Sequence, residues 1–204
     1  PVVTGFTLPS WLWLCEHEPE TATRIHKLLL PKDYLRYCFT GEILTEPSDA
    51  SGTLLLNYLQ RNWSESVLDL FSIPQNLLPD IIDSTAFAGT LKQEVAKELG
   101  LLNGTPVICG GSDQACQAIA QGAVMPNSVT CTIGTGGQVL AVCDQPVPDK
   151  NQRVHLFCHT VPNTWHYEAA TLSAGLSLKC LRETFCPHQT YAEMADEAST
   201  VSRG

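Results

Sequence analysis

The sequence has no long hydrophobic run and few charged residues. No apolar stretch approaches the roughly 18 residues that a membrane-spanning helix needs. Charged residues make up only 16% of the 204-residue chain, in which 12 Lys and Arg stand against 21 Asp and Glu. The resulting formal net charge of −9 disfavours attraction to the phosphate backbone of nucleic acids and to anionic membrane surfaces. We therefore predict neither a nucleic-acid partner nor a membrane partner.

The sequence also lacks a C-x-x-C pair, although it contains nine cysteines. An odd number of cysteines in an apolar chain of this length does not fit a disulfide framework. Cys109 and Cys131 stand in apolar runs where a small buried side chain belongs, so we predict free and mostly buried thiols in a reducing, cytoplasmic compartment. His155 and His159 have no Cys or carboxylate at a metal-ligand spacing, and no metal site is predicted.

The pattern of apolar residues predicts an α/β protein whose character changes near residue 127. Residues 9–101 read mainly as helices, and the residues after 105 add strands. Ser64 and Thr90 are predicted to cap the helices that follow them. The predicted helices are 9–18, 21–28, 31–39, 65–71, 91–99, 113–122, 172–185 and 191–199, and the predicted strands are 54–57, 106–109, 128–133, 138–143, 154–159 and 165–171.

The first of two glycine clusters joins a predicted strand to a predicted helix. Gly110 and Gly111 precede Ser112 and Asp113, at the carboxyl end of the strand, where α/β proteins place their sites. Glycines leave room for a ligand against the backbone, and phosphoryl transfer needs a positioned carboxylate that accepts the hydroxyl proton. The residues alone favour, by a small margin, a plainer role in which Asp113 caps the helix. Both roles stay open at this point.

The second cluster, Gly134-Thr135-Gly136-Gly137, lies between two predicted strands. Consecutive N–H groups in such a turn can hold an anion, and a threonine hydroxyl adds a donor. No Lys follows the last glycine, which excludes a Walker A loop, and the following strand excludes the dinucleotide fingerprint. A hairpin turn without any function is equally compatible with these residues. A carboxylate loop and an anion-holding turn in one chain are more informative together than either is alone.

The order of these motifs resembles the FGGY family of carbohydrate kinases, and the similarity extends over nearly the whole chain. It is carried by GFTLP at 5–9, WLCEHEPE at 13–20, LPKDYL at 30–35, SDASGT at 48–53, GGSDQA at 110–115, IGTGG at 133–137 and TLSAG at 171–175. The resemblance implies an actin-like ATPase (ribonuclease H-like) α/β fold with two domains facing a cleft. Residues 1–127 would then be the C-terminal part of the first, sugar-binding domain, and residues 128–204 the start of the second, nucleotide-binding domain.

The resemblance also implies roles for single residues. Asp113 matches the catalytic acid that accepts the proton of the sugar hydroxyl, and Gln114 matches a position that binds the sugar. The positions that match nucleotide contacts are Gly134, Thr135, Gly136, Gly175 and Lys179. A solvated helix lysine is an equally good interpretation of Lys179. Asp49, in the SDASGT segment, is predicted to organise its own turn.

By resemblance, the expected reaction transfers the ATP γ-phosphate, with Mg²⁺ as cofactor, to the 5-hydroxyl of D-xylulose, giving D-xylulose 5-phosphate. The alternatives are a related kinase for ribulose, fuculose, rhamnulose, gluconate or glycerol, or a non-catalytic, sugar-binding actin-like protein. The family's early phosphate and sugar motifs and its late adenosine motif have no match in these residues. We therefore expect less than half of a kinase, inactive by itself, with sugar and ATP as partners; a homodimer is compatible with the resemblance.

Overall fold

The computed structural model describes residues 4–202 and contains both helices and strands. The helices are α1 (Thr7–His17), α2 (Pro19–Ala22), α3 (Pro31–Thr40), α4 (Pro47–Ala50), α5 (Glu65–Leu70), α6 (Gln93–Leu99), α7 (Asp113–Ala120), α8 (Gly175–Phe185) and α9 (Tyr191–Ser199), with 3₁₀ turns at Ser51–Thr53 and Gln75–Leu77. The strands are β1 (Leu44–Thr45), β2 (Leu56–Asn57), β3 (Asn62–Trp63), β4 (Asp80–Ile81), β5 (Phe87–Thr90), β6 (Pro106–Ile108), β7 (Val129–Ile133), β8 (Gly137–Cys143), β9 (His155–Cys158) and β10 (Trp165–Thr171).

The second part of the chain contains a four-stranded antiparallel sheet in the order β7-β8-β10-β9. The predicted hairpin is confirmed: Ile133 pairs with Gly137 across the turn that joins β7 to β8. The first part holds three two-stranded sheets, of which β1 and β4 form the parallel one. Among residues 4–202, no helix is both long enough and apolar enough to cross a membrane.

The larger apolar core lies in the first part of the chain. Trp11 is buried, whereas Trp13, two residues further along the same helix, has 54% of its surface exposed, because residues two apart point to different sides of a helix. The indole N–H of Trp63 donates to the Pro79 carbonyl at 2.8 Å. The buried members of this core are Leu8, Trp11, Ala50, Leu55, Trp63, Leu68, Ile73 and Leu78.

Three local predictions are wrong because nearby residues or tertiary contacts override them. No helix forms at 21–28: α2 ends at Ala22, and the Leu28 N–H donates to the Leu77 carbonyl at 2.8 Å. Ser64 makes no side-chain cap, since its hydroxyl lies 3.2 Å from that of Ser66. Thr90 is the last residue of β5 and caps nothing, because α6 begins only at Gln93.

The cysteine prediction is half right. All nine thiols are free, but only Cys109 and Cys158 are buried, and Cys131 is exposed. Its strand, β7, is an edge strand whose exposed side also carries Val129 and Ile133. An alternating pattern predicts that one face of a strand differs from the other, but it does not predict which face is covered.

Contacts between the two parts hold the loop between β9 and β10 against the first part. The Arg61 guanidinium donates to the carbonyls of His159 and Thr164 at 3.0 and 3.1 Å. The Trp165 indole N–H donates to the Tyr58 carbonyl at 2.8 Å. These bonds bring the faces of β9 and β10 opposite the loop that precedes α7.

Candidate functional site

Asp113 is the first residue of α7 and its side chain is exposed. The residue before it, Ser112, is the N-cap and accepts from the Ala115 N–H. The interpretation of Asp113 as the cap is therefore wrong, because Ser112 already occupies that position. One carboxylate oxygen of Asp113 accepts from the Gln114 N–H at 2.8 Å, and the other accepts no hydrogen bond from residues 4–202. That oxygen is available to a ligand.

The two glycines before Ser112 are required for different reasons. Gly110 has φ +89°, a left-handed conformation that strains other residues. Gly111 makes a close contact instead: a β-carbon there would lie 2.2 Å from the Cγ2 of Thr160 and 3.1 Å from the Sγ of Cys116. The loop that carries Asp113 is therefore in direct contact with the loop between β9 and β10, which contains Thr160.

The fully buried carboxylate of Glu46 holds the loop that precedes Asp113 in place through Ser48. It accepts from the N–H groups of Ser48 and Asp49, each at 2.8 Å, and from the Ser84 hydroxyl at 2.7 Å. The Ser48 hydroxyl donates to Glu46 and accepts from the Ser112 N–H at 2.9 Å. Glu46, not Asp49, thus organises the turn at 46–49, because its carboxylate caps α4.

Asp49 points instead towards a cluster of charges around Lys32. The Lys32 ammonium lies 2.7 Å from Asp33, 3.6 Å from Asp49 and 3.8 Å from Glu46. Burial lowers the pKa of Lys32, but the adjacent carboxylates outweigh it and raise that pKa above its usual value. Burial raises the pKa of Asp49 to about 6, against the opposing effect of Lys32. Asp49 therefore changes its protonation state close to neutral pH.

Asp113 lines a cleft of about 290 Å³ between the two parts of the chain. On the side of the first part, the cleft is lined by Ser48, Asp49, Gly52, Ser112, Asp113 and Gln114, with Phe6 nearby. On the side of the sheet, it is lined by His155, Phe157, His166, Glu168 and Ala170. The cleft is rich in hydrogen-bond acceptors, which suits a neutral ligand with many hydroxyl groups.

The turn at 134–136 lies against the start of α8. Its carbonyl groups accept from that helix: Gly134 from the Gly175 N–H at 2.9 Å, and Thr135 from the Ala174 N–H at 2.8 Å. A β-carbon on Gly175 would lie 2.4 Å from the Gly134 carbonyl oxygen, so this close contact explains its glycine. Within the described part of the chain, the N–H groups of Thr135 and Gly136 and the Thr135 hydroxyl have no partner. These three donors can hold an anion.

The structure connects the turn to the helix that carries Asp113. One helical turn beyond Asp113, the Gln117 amide donates to the Thr132 hydroxyl at 3.0 Å, and Thr132 lies two residues before the turn at 134–136. The exposed Lys179 ammonium lies 3.8 Å from Glu183 on the same helix.

Sequence reasoning missed three residues of this site: Glu46, Lys32 and Glu168. Glu46 could have been identified, because an acidic residue followed by a proline, as at Glu46 and Pro47, indicates the start of a helix. Lys32 carries no such signal, since only its nearest partner, Asp33, is adjacent in the sequence, and Glu46 and Asp49 lie further along the chain. Glu168 lies on β10, and the sequence does not show which strands pair with β10 or which residues lie across the cleft from Glu168.

The fold and the site define a class of protein, and the comparisons confirm it: the chain belongs to the FGGY family of carbohydrate kinases. The sequence model of this family's N-terminal domain matches residues 1–120. Curated relatives include the xylulose kinase of Staphylococcus epidermidis, 42% identical over 204 residues, and that of Bacillus subtilis, 37% identical over 203 residues. In both cases, the match covers 100% of this chain and 41% of the relative. The chain thus spans about two fifths of the length of these relatives.

Solved structures give the same fold. A xyloylose kinase from Brucella ovis matches with a TM-score of 0.84 and 35% identity, over 89% of this chain and 38% of that one. The ligand-bound xylulose kinase from Lactobacillus acidophilus matches with a TM-score of 0.90 and 25% identity, over 98% of this chain and 40% of that one. The expected α/β fold of an actin-like ATPase is confirmed.

Proposed function

We propose that the complete polypeptide carrying this chain transfers the γ-phosphate of ATP to the 5-hydroxyl of D-xylulose and gives D-xylulose 5-phosphate and ADP. The observation that carries the proposal is the exposed Asp113 carboxylate, which lines a cleft and has one oxygen free of partners among residues 4–202. Relatives named xylulose kinase, at 37–42% identity, support the choice of acceptor. They do not favour the other acceptors or a non-catalytic sugar-binding protein.

In this reaction, Asp113 acts as the proton acceptor. The 5-hydroxyl oxygen of the sugar forms a bond to the γ-phosphorus while the bond from that phosphorus to the bridging oxygen of ADP breaks. The electron pair of the broken bond leaves with ADP, and the hydroxyl proton passes to Asp113. Because Asp113 is exposed, it can return the proton to water afterwards. Gln114, half-buried beside it in the cleft, is a hydrogen-bonding partner for the sugar.

The negative charges of the cleft and the donors of the turn at 134–136 favour different substrates. Asp49, Asp113 and Glu168 line the cleft, and their negative charges repel a triphosphate but accept hydrogen bonds from hydroxyl groups. The phosphates are therefore assigned to the turn of Gly134, Thr135 and Gly136, which offers the N–H groups of Thr135 and Gly136 and the Thr135 hydroxyl as donors. Mg²⁺, which binds mainly through phosphate oxygens and waters, would arrive with ATP and neutralise charge on its phosphates. We assign it no ligand among these residues.

Sugar binding and nucleotide binding are thus assigned to different parts of the chain. We assign residues 1–127 to the sugar-binding domain and residues 128–204 to the nucleotide-binding domain. We assign Gly175 to the nucleotide site because it contacts Gly134 of the proposed phosphate turn, and we assign Lys179 to the same site from the family resemblance alone. The chain spans about two fifths of its relatives, so we expect no turnover from these 204 residues alone.

An acceptor panel tests the proposed function. With ATP and Mg²⁺, the full-length polypeptide should form ADP rapidly with D-xylulose and slowly or not at all with ribulose, fuculose, rhamnulose, gluconate and glycerol. ADP formation is followed with a coupled enzymatic assay, and a reaction without sugar corrects for hydrolysis of ATP. Faster turnover of any other acceptor would reassign the substrate, and turnover of none would refute kinase activity.

Thr135→Val tests the phosphate turn. Replacing the hydroxyl removes one donor to a charged phosphate oxygen, which should raise the KM for ATP by about tenfold and leave the KM for D-xylulose unchanged. Thr130→Val, on β7 and away from the turn, is the matched control and should alter neither constant. An unchanged KM for ATP in Thr135→Val would remove Thr135 from the nucleotide site.

A further inference from the structure

The sheet provides the wall of the cleft that faces Asp113, and in the proposed function this wall contributes the negative charge of Glu168. His166, Glu168 and Ala170 alternate along β10 and therefore point to the same side, and all three line the cleft. His155 and Phe157 on β9 line it as well. Glu168 is the only carboxylate among these five residues.

The Glu168 side chain is mostly buried, but its carboxylate remains open to the cleft. Its side chain is 13% exposed, and its nearest charged partner is the Nε2 of His166 at 3.8 Å, which is beyond hydrogen-bond distance. No group among residues 4–202 donates to it. The contrast with Glu46 is clear, since that buried carboxylate accepts from two N–H groups and two hydroxyls. A cleft carboxylate that receives no hydrogen bond from residues 4–202 can accept one from a ligand hydroxyl.

The aromatic rings beside Glu168 pack against one another. His166 is 1% exposed, and its ring packs against those of Phe157 and His159 at centroid distances of 5.7 and 5.6 Å. Burial lowers the pKa of His159 to about 4 and lowers that of His155 as well, so both rings are neutral at pH 7. A hydroxyl group of a ligand in the cleft can supply the donor that residues 4–202 do not.

We infer that Glu168 accepts a hydrogen bond from a hydroxyl of the acceptor sugar on the wall opposite Asp113, and that it determines specificity. This inference rests on the proposed function. Phosphate groups cannot be the partner, because at neutral pH they are anionic and offer Glu168 repulsion where a hydroxyl offers a donor. The acceptor is therefore an open-chain polyol or ketose with at least one hydroxyl besides the one that is phosphorylated.

The test measures sugar affinity directly. In the full-length polypeptide, Glu168→Gln should weaken D-xylulose binding by 10- to 100-fold in calorimetry, the loss expected for about one charge-assisted hydrogen bond. Turnover at saturating sugar and the KM for ATP should stay within about twofold, because neither the proton acceptor nor the phosphate turn is altered. Glu183→Gln, an exposed glutamate on α8, is the matched control and should bind D-xylulose normally.

A second arm of the test varies the sugar. Wild-type affinity for monodeoxy analogues of D-xylulose should fall most for the analogue that lacks the contacted hydroxyl, and Glu168→Gln should bind that analogue no worse than the wild type does. Equal affinities of Glu168→Gln and Glu183→Gln for D-xylulose would overturn the inference even if the wild type is an active kinase. A wild type that binds sugar through Glu168 but transfers no phosphate would support the inference and refute the proposed function.

Discussion

Asp113→Asn lowers turnover of D-xylulose by about 100- to 10,000-fold, the usual contribution of a positioned proton acceptor. Asparagine has the same shape as aspartate but cannot take the hydroxyl proton, so the expected loss is in kcat, and the affinity for the sugar stays close to normal. The measurement is steady-state ADP formation by the full-length polypeptide, combined with calorimetric binding of D-xylulose.

The control for this prediction is Asp196→Asn, an exposed aspartate on α9, which should leave both constants unchanged. Because Ser112 and not Asp113 caps α7, Asp113→Asn removes only a first-turn negative charge from the helix, which should cost about 0.3–1 kcal/mol of stability. Near-normal turnover in Asp113→Asn would remove this residue from the catalytic role.

Gly111→Ala is expected to be the most damaging change to the structure of the site. The added methyl group would lie 2.2 Å from the Cγ2 of Thr160 and 3.1 Å from the Sγ of Cys116, so the loop carrying Asp113 must move. Overpacking of this kind costs about 3 kcal/mol. We expect a lower midpoint of thermal unfolding and a loss of activity, measured by calorimetry and by the ADP assay on the full-length polypeptide.

A compensating variant makes this prediction specific. Thr160→Ser removes the Cγ2 atom and keeps the hydroxyl, so the double variant with Gly111→Ala should recover part of the lost stability and activity. Gly5→Ala is the control, since a β-carbon at Gly5 meets nothing within 4 Å. If Gly111→Ala matches the wild type in both measurements, the close contact between the loop and the sheet side is contradicted.

The parts of the fold that depend on local pattern could be predicted from the sequence. The hairpin of β7 and β8 follows from alternating residues around a glycine turn, and α9 has the predicted bounds, 191–199, with a capping box at Thr190 and Glu193. The helix expected at 21–28 fails because Leu28 bonds to Leu77, a partner that the local pattern does not contain.

The candidate site was predictable only where single residues carry a motif. Asp113 and the turn at 134–136 stand out through their glycines and through the family resemblance. Glu46 and Glu168 acquire their significance from long-range contacts: Glu46 through the hydroxyl of Ser84, and Glu168 through its position opposite Asp113. No periodicity or spacing reports which distant hydroxyl a carboxylate will accept from, or that it will accept from none.

The most direct test of the central claim is phosphorus NMR of the product that the full-length polypeptide forms from ATP and D-xylulose. The account predicts ADP together with one new phosphomonoester, whose phosphorus couples to the two protons on carbon 5 of the sugar. Phosphorus found on another carbon, or released only as inorganic phosphate, would contradict transfer to the 5-hydroxyl across the cleft that Asp113 lines.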